Sequence, residues 1–448
     1  MSQADLNPAS VPMAPIETGI RFSHGVASEI ASPAPSIRRS ALWTGLGDAF
    51  YALCQWGILV ILARMGTPEM VGQFALASAI TAPVIIFANL GLRQLQSTDA
   101  RNQFQFRDYV AMRLASTVLA LATIAVLAFQ YRVDTALTIL VLGIAKCFEA
   151  ISDVFYGLLQ KHERMDLITI SLLLRGVTSA AGFAVGFILL GGVLGGVVGL
   201  AMGWLLVLIA YDIPRGSQIL SLTAHKPHTA GIWRQSQMQA LCALALPLGV
   251  GTMLLSLNAN IPRYFIERYI GDGALGLFAG MAYVAAAAGM AVNSLGQAMS
   301  PRLSQHWARG AFVEFRTLFM KFAALAGLWG LIGIGVAFAV GAQLLTLLYG
   351  ADYATHSDTF VWLMGVAAVS HLASVCGFGM TAARIIRSQS IQFACVAAIG
   401  TVSAIVLIPG HGLNAAALAF GISLFAQLFI SALCLHYALA RKDQPCKS

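Results

Sequence analysis

From about residue 41 onward the chain alternates long apolar runs with short polar breaks. Each run is about 20 residues, enough for an α-helix to cross hydrocarbon about 30 Å thick. A transmembrane β-barrel would instead show short segments of alternating polarity. Twelve runs have the length: 41–63, 71–92, 109–130, 135–157, 167–190, 192–210, 240–261, 275–300, 317–340, 359–382, 390–408 and 413–440. The pattern predicts an all-α polytopic membrane protein. The longest break, 211–239, contains Pro214 and Pro227 and divides the spans six and six. The expected organisation is a disordered cytoplasmic tail (1–37, rich in Pro, Ser and Ala) and a six-helix lobe (38–213). A cytoplasmic linker (214–238), a second six-helix lobe (239–441) and a short tail (442–448) follow.

Composition narrows the class. Only 10% of residues are charged and 58% are hydrophobic, with a mean hydropathy of +0.77. Soluble domains carry about 25% charged residues, so a water-soluble enzyme is excluded, as is a disordered or fibrous chain. The net charge of +8 is spread between apolar runs, not gathered into a patch, so no nucleic acid is expected as a partner. With both termini inside, 19 of the 27 Lys and Arg residues fall in cytoplasmic segments. Only Arg64, Arg132, Arg263 and Arg268 fall outside, the asymmetry of the positive-inside rule. The seven cysteines form no CxxC pair and read as small buried hydrophobes, not metal ligands or disulfides. No Walker, GxSxG or HExxH sequence occurs and the outer connections are short. Neither catalysis nor a cofactor or metal is expected.

Ionisable residues inside a span cost roughly 2.5–3.5 kcal/mol each on insertion scales and usually face a cavity or a partner. Lys146, Glu149 and Asp153 lie at i, i+3 and i+7 on one face of the fourth span, continued by Tyr156 and Gln160. This stripe reads either as a polar cavity wall, which three clustered charges favour, or as a local ion pair. Depth suggests cross-helix partners. Glu149 and Arg175 are each eight residues, about 12 Å, from the inner ends of their spans. Asp153 and Arg113 are each four residues in, although Arg113 could equally snorkel to the inner surface. Lys146, near the midplane, is then expected to lack a depth-matched acid and to be the cation that holds an anionic substrate. Asp48, Tyr51 and Gln55 form a similar stripe on the first span, and Asn258 and Asn260 precede Pro262 and Arg263 at the end of the seventh. His371, alone in the tenth span, is expected to be packed with a satisfied hydrogen bond. Gly191, Gly195, Gly199 and Gly203 form a small-xxx-small stripe for close helix packing.

The halves share a faint repeat. Gly72-Gln73-Phe74-Ala75 and Gly276-Leu277-Phe278-Ala279 each follow the first span of their half, and Leu90-Gly91 matches Leu295-Gly296 downstream. Parallel six-span halves with the substrate path between them are a transporter architecture.

Several stretches carry a family resemblance. Leu62-Ala63-Arg64-Met65-Gly66 through Gly72-Gln73-Phe74-Ala75 to Asn89-Leu90-Gly91-Leu92-Arg93 resembles the opening of Wzx-type polysaccharide-biosynthesis flippases. These belong to the multidrug/oligosaccharidyl-lipid/polysaccharide exporter superfamily. The runs Glu149-Ala150-Ile151-Ser152-Asp153, Gly157–Met165, Asn260–Glu267 and Leu348–Tyr353 are similar to later parts of the same family. The resemblance implies twelve transmembrane helices in two six-helix lobes around a central cavity. It also implies movement of a polyprenyl-diphosphate-linked oligosaccharide from the inner to the outer leaflet of the bacterial inner membrane. Asp48, Arg113, Lys146, Glu149, Asp153, Arg175, Asn258, Asn260 and Arg263 are the candidate cavity residues. The expected partners are the lipid-linked oligosaccharide, the bilayer, a coupling proton or sodium ion, and the polymerase and chain-length regulator of the pathway. The competing readings are a cation-coupled drug exporter on the same twelve spans and a membrane-embedded acyltransferase or polymerase.

Topology is testable directly. A reporter active only in the cytoplasm is expected to work when fused within 211–239 or at the C-terminus, and to be silent near Asp352. Cytoplasmic activity near Asp352 would overturn the orientation.

Overall fold

The computed structural model describes residues 37–99, 102–223 and 235–443. The tail expected at 1–37, apart from its last residue, lies outside the described residues. So do the middle of the linker and residues 444–448. The described residues are helical and contain no strand. Spans 1 to 5 are Ile37–Met65, Pro68–Asn89, Phe106–Ala128, Val133–Lys161 and Met165–Leu190. Span 6 runs from Gly192–Val207 through a π-helical turn, Leu208–Asp212, into Ile213–Thr223. Spans 7 to 10 are Gln235–Tyr269, Asp272–Ala308, Phe312–Tyr349 and Ser357–Ala382. The final helix, Ile386–Asp443, contains 58 residues, too many for one crossing, and breaks at Gly412, where φ is 68° and ψ is −154°. Only glycine adopts that backbone freely, so Gly412 turns the chain back and makes spans 11 and 12. The total is twelve transmembrane helices in two lobes of six.

Several helices outrun the expected spans. Residues 214–223 and 235–238, expected in the linker, continue spans 6 and 7 as helix. Pro214 does not stop the first of these because the π turn just before it already relaxes the i→i−4 ladder. Span 7 likewise passes through Pro262 to Tyr269. Arg263, expected in an outer segment, is therefore inside a helix. Pro262 leaves the Asn258 carbonyl without its usual donor, while the Asn260 amide bonds the Ser256 carbonyl at 2.8 Å along the same turn.

Neighbour relations repeat between the lobes. Span 1 packs on span 5, span 2 on span 4 and span 3 on span 4. In the second lobe the final helix packs on span 7, and span 10 packs on spans 8 and 9. Spans 5 and 6 pack with their glycines interleaved. A Cβ at Gly199 would lie 1.8 Å from the Gly182 carbonyl oxygen, and one at Gly186 would lie 2.2 Å from that of Gly195. The predicted small-residue stripe is thus a backbone-to-backbone contact, completed by Gly203 against the Thr178 carbonyl. Gly191 does not join it. With Gly192 it takes positive φ, 74° and 70°, and turns span 5 into span 6.

The lobes meet mainly through span 2, which packs on spans 7 and 8. The two copies of the sequence repeat cross each other here. A Cβ at Gly72 would lie 1.8 Å from the Asp272 carbonyl oxygen, and a Cβ at Gly276 would lie 1.8 Å from that of Pro68. Each glycine therefore touches the carbonyl four residues before the other, a local two-fold relation. At the same rim Trp56 Nε1 donates to the Tyr349 hydroxyl at 2.7 Å. Arg64, at the end of span 1, donates to the Thr346, Leu347 and Leu348 carbonyls at the end of span 9. A cation on those terminal carbonyls also complements the helix dipole. The other halves of spans 1 and 8 are open: Leu46, Leu53 and Met290 are exposed, whereas Leu62, Leu275 and Ala279 are buried. The contacts between spans 1, 8 and 9 thus gather at one rim, and toward the opposite, more basic face spans 1 and 8 present exposed side chains.

Gly276→Val places a branched side chain where no Cβ fits. It is expected to prise spans 2 and 8 apart at the sealed rim, so that a cysteine pair placed at Trp56 and Tyr349 cross-links several-fold less than in the parent. Unchanged cross-linking would show that the crossing does not hold the rim.

Candidate functional site

The first lobe holds a continuous polar network on the side away from the sealed rim. The depth-matched pairs read from sequence are present. Arg113 Nη2 meets Asp153 Oδ2 at 2.8 Å, and Arg175 Nη1 meets Glu149 Oε1 at 3.8 Å. Arg113 does not snorkel; it is 1% exposed and also donates to the Asn89 side chain. The stripe on span 1 joins as well. Tyr51 donates to Glu149 at 3.0 Å, Gln55 to Ser179 at 3.2 Å, and Asp48 lies within electrostatic reach of Arg93.

Lys146 departs from the expectation. It is not unpartnered: its ammonium donates to Glu149 Oε2 at 2.8 Å and lies 4.8 Å from the centre of the buried Trp204 ring. The depth argument considered acids on other helices, whereas the acid that pairs is one turn along its own helix at i+3. The ring face supplies further cation–π attraction in a desolvated setting.

Two members were missed by sequence reading. Asp212, fully buried in the π turn of span 6, accepts from Ser171 at 2.5 Å and from Arg175 at 3.4 Å. It falls in the polar break 211–239, because the apolar run ends at Ala210. Arg93 was placed in a cytoplasmic loop. Leu90 and Gly91, with φ of 51° and 60°, instead fold the chain into a short helix, Leu92–Thr98. That brings Arg93 Nη1 to 3.6 Å from Asp153 and its Nε to 3.0 Å from Gln160. Tyr156 lies between Arg93 and Arg175, its ring centre 5.5 and 5.3 Å from the two guanidinium carbons, while its hydroxyl meets Ser171 at 2.6 Å. The network therefore contains Arg93, Arg113, Lys146 and Arg175 against Asp48, Glu149, Asp153 and Asp212. All four cations pair directly with Glu149, Asp153 or Asp212, with the exposed Asp48 near Arg93, which is how buried charge is tolerated.

The second-lobe candidates do not join this network. Asn258 donates to the Phe393 carbonyl at 3.1 Å, holding span 7 to span 11. Asn260 accepts from Arg263 at 3.1 Å. Arg263 lies over the Tyr283 ring of span 8, 5.6 Å from its centre. Among the described residues it pairs with no carboxylate. The neighbouring Tyr264 hydroxyl donates across the lobe boundary to the Ala79 carbonyl of span 2. Tyr283 and Tyr349 lie within electrostatic reach of each other, which sets Arg263 close to the Trp56–Tyr349 seal. His371 is also unlike its expectation. It is buried, but neither ring nitrogen bonds a protein atom among the described residues.

Residues 37–307 match the family described as polysaccharide biosynthesis protein. The chain belongs to that family. Its residues also align with the capsular polysaccharide biosynthesis protein CapF of Staphylococcus aureus, at 27% identity over 312 residues, covering 70% of this chain and 77% of CapF. In fold it is similar to the lipid II flippase MurJ in an inward closed conformation, with a TM-score of 0.68 and 12% identity over 90% of each chain. It is also similar to an inward-facing multidrug resistance MATE transporter, with a TM-score of 0.62 and 12% identity over 94% of this chain and 99% of the other. The family read from the sequence motifs is the family found, and the protein is a multi-pass membrane protein of polysaccharide biosynthesis.

Removing either Glu149 or Arg175 takes away one of the partners of the other, a cost below the about 3–5 kcal/mol of a buried charge left wholly unpaired, because Arg175 keeps Asp212 and Glu149 keeps Lys146. Glu149→Gln and Arg175→Gln are each expected to lower the amount of folded protein in the membrane. The double change is expected to recover part of the loss, and only part, because Asp212 and Lys146 remain. Strictly additive losses, measured by fluorescence-detected size exclusion, would show that the two side chains act independently.

Proposed function

We propose that this family member moves a polyprenyl-diphosphate-linked oligosaccharide from the inner to the outer leaflet of the bacterial cytoplasmic membrane by alternating access. The surface polymer served is an O-antigen, a capsule or an exopolysaccharide, and both termini lie in the cytoplasm. A diphosphate and sugar hydroxyls cannot enter hydrocarbon without compensating partners. A cleft between two lobes supplies them while the apolar tail stays in the lipid. The basic face, toward which spans 1 and 8 present exposed side chains, is the cytoplasmic one under the positive-inside rule, so the conformation is ready to load from the inner leaflet. CapF, named for capsular polysaccharide biosynthesis, and MurJ, named a lipid II flippase, support the substrate class.

One observation carries the reading to a residue. Every cation of the first-lobe network is matched by a carboxylate, whereas Arg263 has only Asn260 and the Tyr283 face. An anion gains most from a guanidinium that is not already neutralised and that offers a planar donor fork. Arg263, and not Lys146, is therefore the residue we assign as the diphosphate anchor. The carboxylates Asp48, Glu149 and Asp153 of the first lobe favour a second reading, cation-coupled export of small cationic amphiphiles on the same fold. No chemical step is proposed for either.

Arg263→Gln is expected to leave the protein folded at normal level, stop polymer export and cause lipid-linked repeat units to accumulate on the inner leaflet. Arg263→Lys keeps the charge but loses the fork, and is expected to retain partial export. Lys146→Gln acts differently, lowering protein level and export together. Normal export per folded molecule in Arg263→Gln, measured as surface polymer against membrane protein, would refute the anchor. Export loss without accumulated lipid-linked saccharide would favour the second reading.

A further inference from the structure

His371 is a buried titratable residue of the second lobe that the proposed substrate path does not use. His371 lies 14 residues into span 10, about 21 Å along a helix of about 39 Å. That is the middle of the membrane. The side chain is 4% exposed. It borders a partly open pocket of about 130 Å³ between spans 8, 10 and 12, walled by Ala282, Ala285, Leu363, Val366, Phe420 and Leu424. Glycines flank the ring. A Cβ at Gly289 of span 8 would lie 3.5 Å from Nε2, and one at Gly330 of span 9 would lie 3.8 Å from Nδ1.

A neutral imidazole has one donor and one acceptor nitrogen. Leaving both without a protein partner is costly and calls for an explanation. A volume of this size accommodates a few water molecules at about 30 Å³ each, and Ser370 is the other polar residue on its wall. No carboxylate lines the cavity. The nearest titratable groups on the packed elements are elsewhere. Tyr283 of span 8 lies under Arg263, and Lys321 of span 9 is nine residues from Gly330. Cys376 follows five residues along span 10, while Cys395 of span 11 and Cys434, His436 and Tyr437 of span 12 are not on the wall. An imidazolium here has no counter-charge. It can form only if the cavity admits water or spans 8 and 10 separate.

We propose that His371 is a proton-binding site of the second lobe, and that protonation is linked to opening of the cavity between spans 8, 10 and 12. The ligand is a proton from water, added to the ring lone pair, and no other co-reactant is needed. Binding linked to one conformation is the requirement for a coupling ion, because a ligand shifts an equilibrium only through its differential affinity for the two states. The residues around it suit the role. Trp329, next to Gly330, donates to the Ala288 carbonyl next to Gly289 at 2.8 Å. Movement of span 8 against span 9 around the imidazole therefore reaches an indole.

The test needs no substrate, so its failure is separate from failure of the flippase reading. In the full-length protein in lipid nanodiscs, ¹⁵N-histidine spectra are recorded between about pH 8 and pH 5, where imidazoles ordinarily titrate. The His371 signal, assigned by its loss in His371→Gln or, should that variant not fold, in His371→Asn, is expected to change from the neutral to the doubly protonated form. Tryptophan emission is expected to shift with the same midpoint, and the shift should vanish in the His371 variant and in Trp329→Phe. A His371 signal that stays neutral throughout overturns the proposal. So does an emission shift of equal size in the His371 variant.

Discussion

The architecture depends on one backbone crossing. Gly72 and Gly276 let spans 2 and 8 approach until each glycine touches the other helix's carbonyl. In lipid, helices gain little from hiding apolar side chains from each other, so close packing and weak polar contacts must hold them. The crossing supplies both and sits at one rim only. Because it lies at that rim, the two lobes can be joined there and parted at the other end. The Trp56–Tyr349 bond and the Arg64 contacts with span 9 reinforce the same rim. A pivot in the middle of the membrane would not have gathered these contacts at one rim.

Electrostatics divides the lobes. The first holds four cations balanced by ion pairs to Glu149, Asp153 and Asp212 and threaded by Tyr51 and Tyr156; the second relies on Arg263, on asparagines and on His371. The balance explains why Arg113 and Arg175 can be almost fully buried. Their charge is spent within the lobe, whereas Arg263 pairs with no carboxylate among the described residues.

Much of this was legible in the residues. Apolar run length gave the spans, because hydrocarbon thickness leaves few alternatives. Counting residues from the inner ends was enough to pair Glu149 with Arg175 and Asp153 with Arg113, since straight helices convert sequence distance to depth. Where helices bend or continue past their apolar run, the count failed. Asp212 lies in a π turn, Arg93 follows two left-handed residues, and Arg263 follows a proline that does not end its helix. None of these has a marker in composition. Lys146 failed for another reason: depth says nothing about a partner on the same helix. The glycine repeat was visible as text, but that its two copies touch each other is a fact of three dimensions.

The charge segregation has a consequence for how the chain is made. Spans 3, 4 and 5 each carry ionised groups that are costly to release singly into lipid. Lys146 and Glu149 pair within span 4, but Arg113 and Asp153 pair across spans 3 and 4, and Asp212, the second partner of Arg175, arrives only with span 6. The charge pairing of the first lobe is thus complete only once its last helix has been synthesised. Spans 8 to 12 carry little buried charge, so the electrostatic cost of assembling the protein falls on its first half. A chain ending within span 6 would leave the buried Arg175 with Glu149 alone.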